Sequence, residues 1–266
     1  MSSDPFAAFK AQQREMWATF APTATFTTRP AARLVAFAGI QRGERVLDVG
    51  TGTGVAAVTA ARKGARVSAV DLTPALLEHA RENGRVAGVD IEWKEGDAEQ
   101  IPFPDAGFDV VISQFAHMFA PRPDVVVGEM RRVLRPGGRV AFSTWPPDDV
   151  VGRTFAFVGR NLPPPPPGAA PPPQWGDRGI VTERLTPHFD TPTFGDDSMD
   201  VPALSPAHHR LSLEHSVGPI TKMMAIAESE PGRLAKLRAE LDGLIAEYFA
   251  DNCVRQRFLM TRATAR

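Results

Sequence analysis

From Phe6 to Phe20 the apolar residues Phe6, Phe9, Met16, Trp17 and Phe20 recur at helical intervals, with Gln13 on the same stripe. This is the period of one helix face, so a helix is predicted over 5–20. A second is predicted over 28–39, with Pro30 in its first turn, where a missing N–H breaks no hydrogen bond. Beyond residue 44 short apolar runs replace the stripe. Residues 46–49, 67–70, 91–94, 108–113 and 139–144 read as strands. Residues 55–63, 74–86 and 123–134 read as helices, the first closed by Gly64 and the third ended by the Arg135-Pro136-Gly137-Gly138 run. Strands alternating with helices at this spacing build βαβ units, hence a parallel sheet covered on both faces.

After Trp145 the alternation stops. Eight prolines fall within 163–173. They exclude helix and central strand, which leaves an extended insertion on a surface or over a cleft. Further on, 181–189, 206–227 and 231–250 read as helical, 191–201 as a strand and 254–263 as a last strand. Four parts are expected: N-terminal helices (1–40), an α/β core (41–146), a Pro-rich insertion with cap elements (147–230), and a final helix and strand completing the core (231–266).

Composition narrows the class without naming a function. With 43% apolar and 23% charged residues, the chain is of ordinary globular type. A formal net charge of -1 gives no electrostatic footprint for nucleic acid. Basic residues are nearly all arginine, which reads as compositional bias. The single cysteine, Cys253, permits no intrachain disulfide. That suits a reducing compartment, and a cytoplasmic location is expected. No basic region followed by an apolar run opens the chain, and no stretch has the length of a membrane span. Whether the chain is a monomer or a homodimer stays open.

The chemistry concentrates between the first strand and its helix, in Val46-Leu47-Asp48-Val49-Gly50-Thr51-Gly52-Thr53-Gly54. Glycines there let the backbone turn sharply and approach a ligand, and the helix that follows offers unpaired N–H groups. Such a loop alone fits several nucleotide-like ligands. Its spacing is G-x-G-x-G rather than the G-x-G-x-x-G of dinucleotide binders, and Asp48 stands two residues before the first glycine. An acid there repels a pyrophosphate but tolerates a ligand carrying an ammonium group beside its carboxylate. Asp71 ends the second strand, where a carboxylate can accept from a ribose diol. Asp97 follows Gly96 at the carboxyl end of the third strand, facing the ligand crevice of an open α/β sheet.

These segments stand in order with Asp71-Leu72-Thr73-Pro74, Gly96-Asp97-Ala98-Glu99-Gln100-Ile101-Pro102-Phe103, Phe108 to Ser113, and Glu129 to Gly138. Together they resemble the class I S-adenosylmethionine-dependent methyltransferases, in particular the ubiquinone/menaquinone C-methyltransferase-like (methyltransferase type 11) subgroup. The likeness covers about 44–145. It implies a Rossmann-like doubly wound α/β sheet, mostly parallel with an antiparallel last strand, accompanied by N-terminal helices and an inserted cap. It implies S-adenosylmethionine as cofactor and S-adenosylhomocysteine as its product. Gly50, Thr51, Gly52 and Gly54 would line the methionine moiety, with Asp48 near its amino group. Asp71 would bind the ribose and Leu72 pack on the adenine. Asp97, Ala98 and Glu99 would meet the adenine edge, and Ser113 and Gln114 would border the sulfur.

The acceptor is read less directly. Trp17, Phe20, Phe26, Met118 and Trp145 are candidate acceptor-site residues. An apolar lid of this kind fits a small, apolar or aromatic metabolite better than a nucleic acid. His117 is the candidate general base, set against a plain packing role beside Met118 and Phe119. Related enzymes often carry an N-terminal tyrosine near the methyl group, whereas the only tyrosine here is Tyr248. His208 and His209 are adjacent and cannot share a helix face, so no metal site is expected. Two alternatives stand beside methyl transfer: a nicotinamide-dependent oxidoreductase on a similar sheet, and a non-catalytic adenosylmethionine-binding protein.

Overall fold

The structure, a computed structural model, describes residues 4–230 and 232–266. Two helices, α1 (Ala7–Trp17) and α2 (Thr28–Phe37), precede the sheet. The core then alternates β1 (Arg45–Val49), α3 (Val55–Arg62), β2 (Arg66–Asp71), α4 (Pro74–Ala87), β3 (Ile91–Glu95), β4 (Phe108–Gln114), α5 (Pro123–Val133) and β5 (Leu134–Thr144). There follow α6 (Val150–Asn161), α7 (Arg178–Leu185), β6 (Thr193–Pro202), α8 (Pro206–Ser216), α9 (Gly218–Ala227), α10 (Arg233–Ala246), β7 (Phe249–Ala250) and β8 (Cys253–Thr264).

The strands form one sheet in the order β3-β2-β1-β4-β5-β8-β6, with β7 paired to the start of β8. β1 to β5 are mutually parallel, and β8 runs antiparallel to both β5 and β6. The mostly parallel, doubly wound α/β sheet with an antiparallel last strand is therefore present. The winding reverses between β1 and β4, the switch point at which such sheets bind ligands beyond their carboxyl ends.

β1 shows why these strands read as near-continuous apolar runs. Val46 and Ala69 pack into a cluster with Ala31, Leu34 and Ala57 of α2 and α3. Leu47 and Val49 enter the opposite cluster, with Val126 and Met130 of α5. A strand buried on both faces has no polar side to alternate with. Asp48 is the exception, 1% exposed in the middle of this strand.

Two expectations are corrected. β5 begins at Leu134, so Arg135-Pro136-Gly137-Gly138 lies within the strand instead of forming a turn before it. A register shift against β4 between Phe108 and Val110 absorbs the proline and glycines as an irregularity of the ladder. The stretch after Trp145 is likewise not irregular throughout, because Val150–Asn161 is a full helix. Its buried Val150, Thr154, Phe157 and Val158 keep helical spacing. The prolines on either side end the helix without excluding it. Pro163 to Pro166 run without regular structure. A 3₁₀ turn over Pro172–Gly176 then drives Trp175, 1% exposed, into the core.

α6, α9 and α10 share a separate hydrophobic cluster that includes Phe157, Met223, Leu241 and Val254. Its Val150, Val158 and Ile220 line the same cavity as Gly50 and Gly52 at the end of β1. The N-terminal segment reaches the same region, since a side chain at Gly218 would strike the backbone of Met16. Among the described residues no helix is long and apolar enough to cross a membrane.

Candidate functional site

The glycine loop is fixed from both sides. Gly50 and Thr51 donate their N–H groups to the Val70 carbonyl at 2.8 and 3.0 Å, tying the end of β1 to the end of β2. Gly50 has φ +69°, and a Cβ there would lie 2.4 Å from the Ala116 Cβ. Only glycine meets both conditions. Gly54 caps α3 in the left-handed conformation and abuts the Trp93 ring, so it serves helix–strand packing. A Cβ on Gly52 would meet nothing within 4 Å. The Gly52 N–H donates to Asp71 Oδ2 at 2.7 Å.

Three acids border this loop. Asp48 Oδ2 accepts from the Thr51 hydroxyl at 2.7 Å, while Oδ1 is buried without a partner. Burial pushes the Asp48 carboxyl up to about 7, against the opposing hydrogen bond from Thr51. Asp71 accepts from the Thr73 N–H through Oδ1 at 2.8 Å, and burial raises its carboxyl too. Asp97 accepts from the Glu99 N–H at 2.9 Å and pairs with Lys10 Nζ at 2.6 Å.

Lys10 belongs to α1, and its position was not foreseen. Its ammonium sits among Asp4, Asp97 and Glu99 at 2.7, 2.6 and 2.5 Å. Their carboxylate oxygens are clustered closely enough to suggest a cation site, and the lysine supplies that cation. Burial disfavours its charge, but the three carboxylates outweigh this and hold the ammonium above its ordinary range. Glu99 also takes two hydrogen bonds from the Arg122 guanidinium, at 2.9 and 2.6 Å. Two amides complete the fastening of the N-terminal segment. Gln13 donates to the Phe119 carbonyl at 3.0 Å, and Gln114 to the Thr27 carbonyl at 2.8 Å.

One cavity of about 280 Å³ runs from this sheet edge into the space under the helices. Asp48, Gly50, Thr51, Gly52, Asp71, Leu72, Asp97, Ala98 and Gln114 line it, as do Trp17, Phe20, Phe26, Trp145 and His117. Gly54, Glu99, Ser113 and Met118 do not. Glu99 is held by Lys10 and Arg122, and Met118 is buried in the main core. Ser113 ties two strand ends by donating to the Val49 carbonyl at 2.7 Å.

The aromatic wall is ordered by ring contacts. Phe115 stacks on Trp145 at 3.8 Å, Trp17 tilts against Phe119 at 4.7 Å, and Phe119 meets Phe155 edge-on at 5.6 Å. Phe115 has φ +55°, a strained conformation for a side chain of that size. His117 is 1% exposed and packs between Phe142 and Trp175 at 4.5 Å from each ring. Burial, with a smaller contribution from Arg184, pushes its imidazole down to about 3, so it is neutral at working pH. Tyr248 is not on the cavity. It donates to the Asp148 carbonyl at 3.2 Å.

Sequence reasoning missed Lys10, Gln13, Phe115 and Gln256, all of which line the cavity, and of His208, His209 and His215, one of which could reach a cap over the site, His209 is the one on the cavity. The first two carried a signal. Lys10 and Gln13 fall between Phe6 and Trp17 at helical spacing, and so occupy the apolar face.

A sequence family described as a methyltransferase domain matches residues 47–142. An uncharacterized protein of Mycobacterium tuberculosis is 34% identical over 255 residues, covering 94% of this chain and 93% of its own length. A demethylmenaquinone methyltransferase of Clavibacter sepedonicus is 40% identical over 117 residues, 42% of this chain and 46% of that protein. Among solved structures, the YcgJ protein of Bacillus subtilis has a TM-score of 0.57 at 18% identity, covering 90% of this chain and 99% of that one. Phosphoethanolamine N-methyltransferase 2 of Haemonchus contortus, solved with S-adenosyl-L-methionine, has a TM-score of 0.56 at 20% identity over 89% of this chain and 52% of that one. With the ordered motifs, the reversed sheet, the matched methyltransferase domain and the demethylmenaquinone methyltransferase relative, the chain belongs to the class I S-adenosylmethionine-dependent methyltransferases, in the methyltransferase type 11 subgroup.

Proposed function

We propose that this methyltransferase acts on a small, largely apolar or aromatic metabolite. One observation carries the reading: a single cavity joins the three sheet-edge acids to a lobe walled by aromatic side chains. Its charged lining side chains, among the described residues, are Lys10, Asp48, Asp71 and Asp97, all at the donor end. A lobe without charge favours an acceptor without charge, because an unpaired ion there would lose its hydration uncompensated.

The residues fit the family's cofactor. Asp48 keeps one buried carboxylate oxygen free of partners, and the Gly52 Cβ position opens on empty space. An ammonium-bearing ligand would satisfy the first and fill the second. In this assignment Asp48 takes the ammonium, and Asp71 takes the ribose hydroxyls on lone pairs that Gly52 and Thr73 leave unused. Leu72 packs on the adenine, and Asp97 with Ala98 meets its edge. Gly50, Thr51 and Gly54 hold the loop, while Gln114 borders the sulfur and Ser113, off the cavity, fixes the strand end behind it. Bound there, S-adenosylmethionine supplies an electrophilic sulfonium methyl group.

The chain's own part is orientation and exclusion of water. Such alignment can lower a barrier by about 7 kcal/mol or more. Trp17, Phe20, Phe26 and Trp145 confine the acceptor, with residues 1–40 as cover and 147–230 as cap. His117 is neutral but weakly basic, so it shapes the wall and removes little of any acceptor proton. Calorimetry with S-adenosylhomocysteine, S-adenosylmethionine and NAD tests the donor side. Both sulfur ligands should bind, and Asp71→Ala should weaken them at least tenfold. Binding of NAD alone, or an unchanged affinity in Asp71→Ala, would overturn the assignment.

A further inference from the structure

The same cavity reaches β6, α8 and α9, where Met199, Val201, Leu213 and Ile220 line it. His209 of α8 faces this apolar space from one side, and Gln256 of β8 from another. His209 is 4% exposed, and its Nδ1 has no hydrogen-bond partner. Its Nε2 lies 3.5 Å from the Gln256 amide nitrogen. That pairing makes Nε2 the acceptor and leaves the ring proton on Nδ1, a donor with nothing to donate to. Buried donors are normally satisfied, and this one belongs to a residue that lines the cavity, so a ligand settling against His209 can complete the bond.

The surroundings hold both groups in place. Ser205 caps α8 by accepting from the His208 N–H at 3.1 Å, which sets the helix and with it His209. Gln256 pairs with Met199 across the β6–β8 ladder. Leu259 is opposite Thr144, the last residue of β5, and Gln256 lies three residues further out along β8. At about 3.4 Å per residue, that places the pair roughly 10 Å beyond the end of β5. The donor loop lies at the carboxyl edge itself. Burial pushes the His209 imidazole down to about 4, so the pair is uncharged, as is the lobe around it.

We propose that His209, braced by Gln256, orients the methyl acceptor through its Nδ1–H, and that the acceptor is an uncharged, otherwise apolar molecule carrying a carbonyl oxygen remote from the atom that takes the methyl. This deepens the methyltransferase reading of the same cavity and rests on it. His209 is a positioning residue: it grips the far end of the acceptor and takes no part in bond making. A carboxylate or phosphate at that end would find no cation, and an alkyl group would leave Nδ1–H unsatisfied.

The test uses three ring compounds that differ only at the end opposite a phenol: 4-hydroxyacetophenone, 4-ethylphenol and 4-hydroxybenzoate. Each is titrated calorimetrically into the full chain saturated with S-adenosylhomocysteine. The ketone should bind at least tenfold more tightly than the alkyl phenol, with the benzoate weakest. His209→Leu should erase the preference for the ketone. His209→Asn, whose amide nitrogen can stand near the Nδ1 position, should keep part of it. Equal binding of ketone and alkyl phenol, absence of binding by all three, or a preference that survives in His209→Leu would overturn the proposal. Titration of S-adenosylhomocysteine alone reads the donor site separately. Should it fail to bind, the donor reading falls, and the same three titrations without it still decide the role of His209.

Discussion

Asp48→Asn separates stability from donor binding. The Asp48 carboxyl is fully buried, and its folded-state pKa of about 7 stands well above the ordinary 3.8. The folded chain therefore binds a proton more tightly than the unfolded chain, and stability falls as pH rises from 3.8 through 7. A shift of about 3 units corresponds to about 4 kcal/mol of penalty for burying the ionised acid at pH 8, of which about 1 kcal/mol is present at pH 4.5. Asparagine titrates nowhere in this range. Its amide nitrogen would stand where Oδ1 has no partner, at a cost of about 1–3 kcal/mol that does not vary with pH. Asp48→Asn should thus gain about 3 kcal/mol relative to the parent between pH 4.5 and pH 8, as read by urea unfolding at both values. Affinity for S-adenosylhomocysteine should fall tenfold or more, because the amide carries no charge for the ammonium, a contact of about 1.5–3 kcal/mol. A stability difference independent of pH would refute the buried-acid account. Undiminished affinity would refute the ammonium assignment.

Two further predictions concern the loop and the N-terminal fastening. Gly50→Ala should cost at least about 2 kcal/mol in urea unfolding, from its positive φ and the clash with the Ala116 Cβ. Adding Ala116→Gly should recover part of the loss, and a double variant no more stable than the single would show that the clash is not its source. Lys10→Met should cost about 1.5–3 kcal/mol, since Asp97 loses its cation while Glu99 keeps only Arg122. Its loss should be smaller when Asp97→Asn is already present, and strict additivity of the two would mean the pair is not coupled.

Much of the core was legible because each βαβ unit encodes its own boundaries. Pro74 opens α4 at the position read from sequence, and the apolar runs at Val46 and Val67 mark strands buried on both faces. The acids Asp48, Asp71 and Asp97 could be placed on one edge because strand ends in a parallel sheet share a side. The region beyond Trp145 was harder. Its prolines dominate the local pattern and masked α6, whose buried residues show their spacing only when the flanking breakers are set aside. His209 and Gln256 lie 47 positions apart on α8 and β8, and only the packing of cap against sheet brings them together. Lys10 was obscured differently: a charged residue on an apolar stripe reads as solvated until Asp4, six residues before it, and Asp97 and Glu99 of the loop after β3 are seen around it.

The strand order has a consequence for the chain while it is being made. β8 is the final strand in sequence, yet it occupies an interior place between β5 and β6. Until Cys253–Thr264 emerges, the ladder side of β5 from Arg139 to Thr144 has no neighbour, and β6 has nothing to pair with. A nascent or truncated chain ending before that strand would hold every motif of the donor loop and still present an open, apolar sheet edge, a template for pairing with other copies. The twelve residues that cover this edge carry none of the donor-site acids.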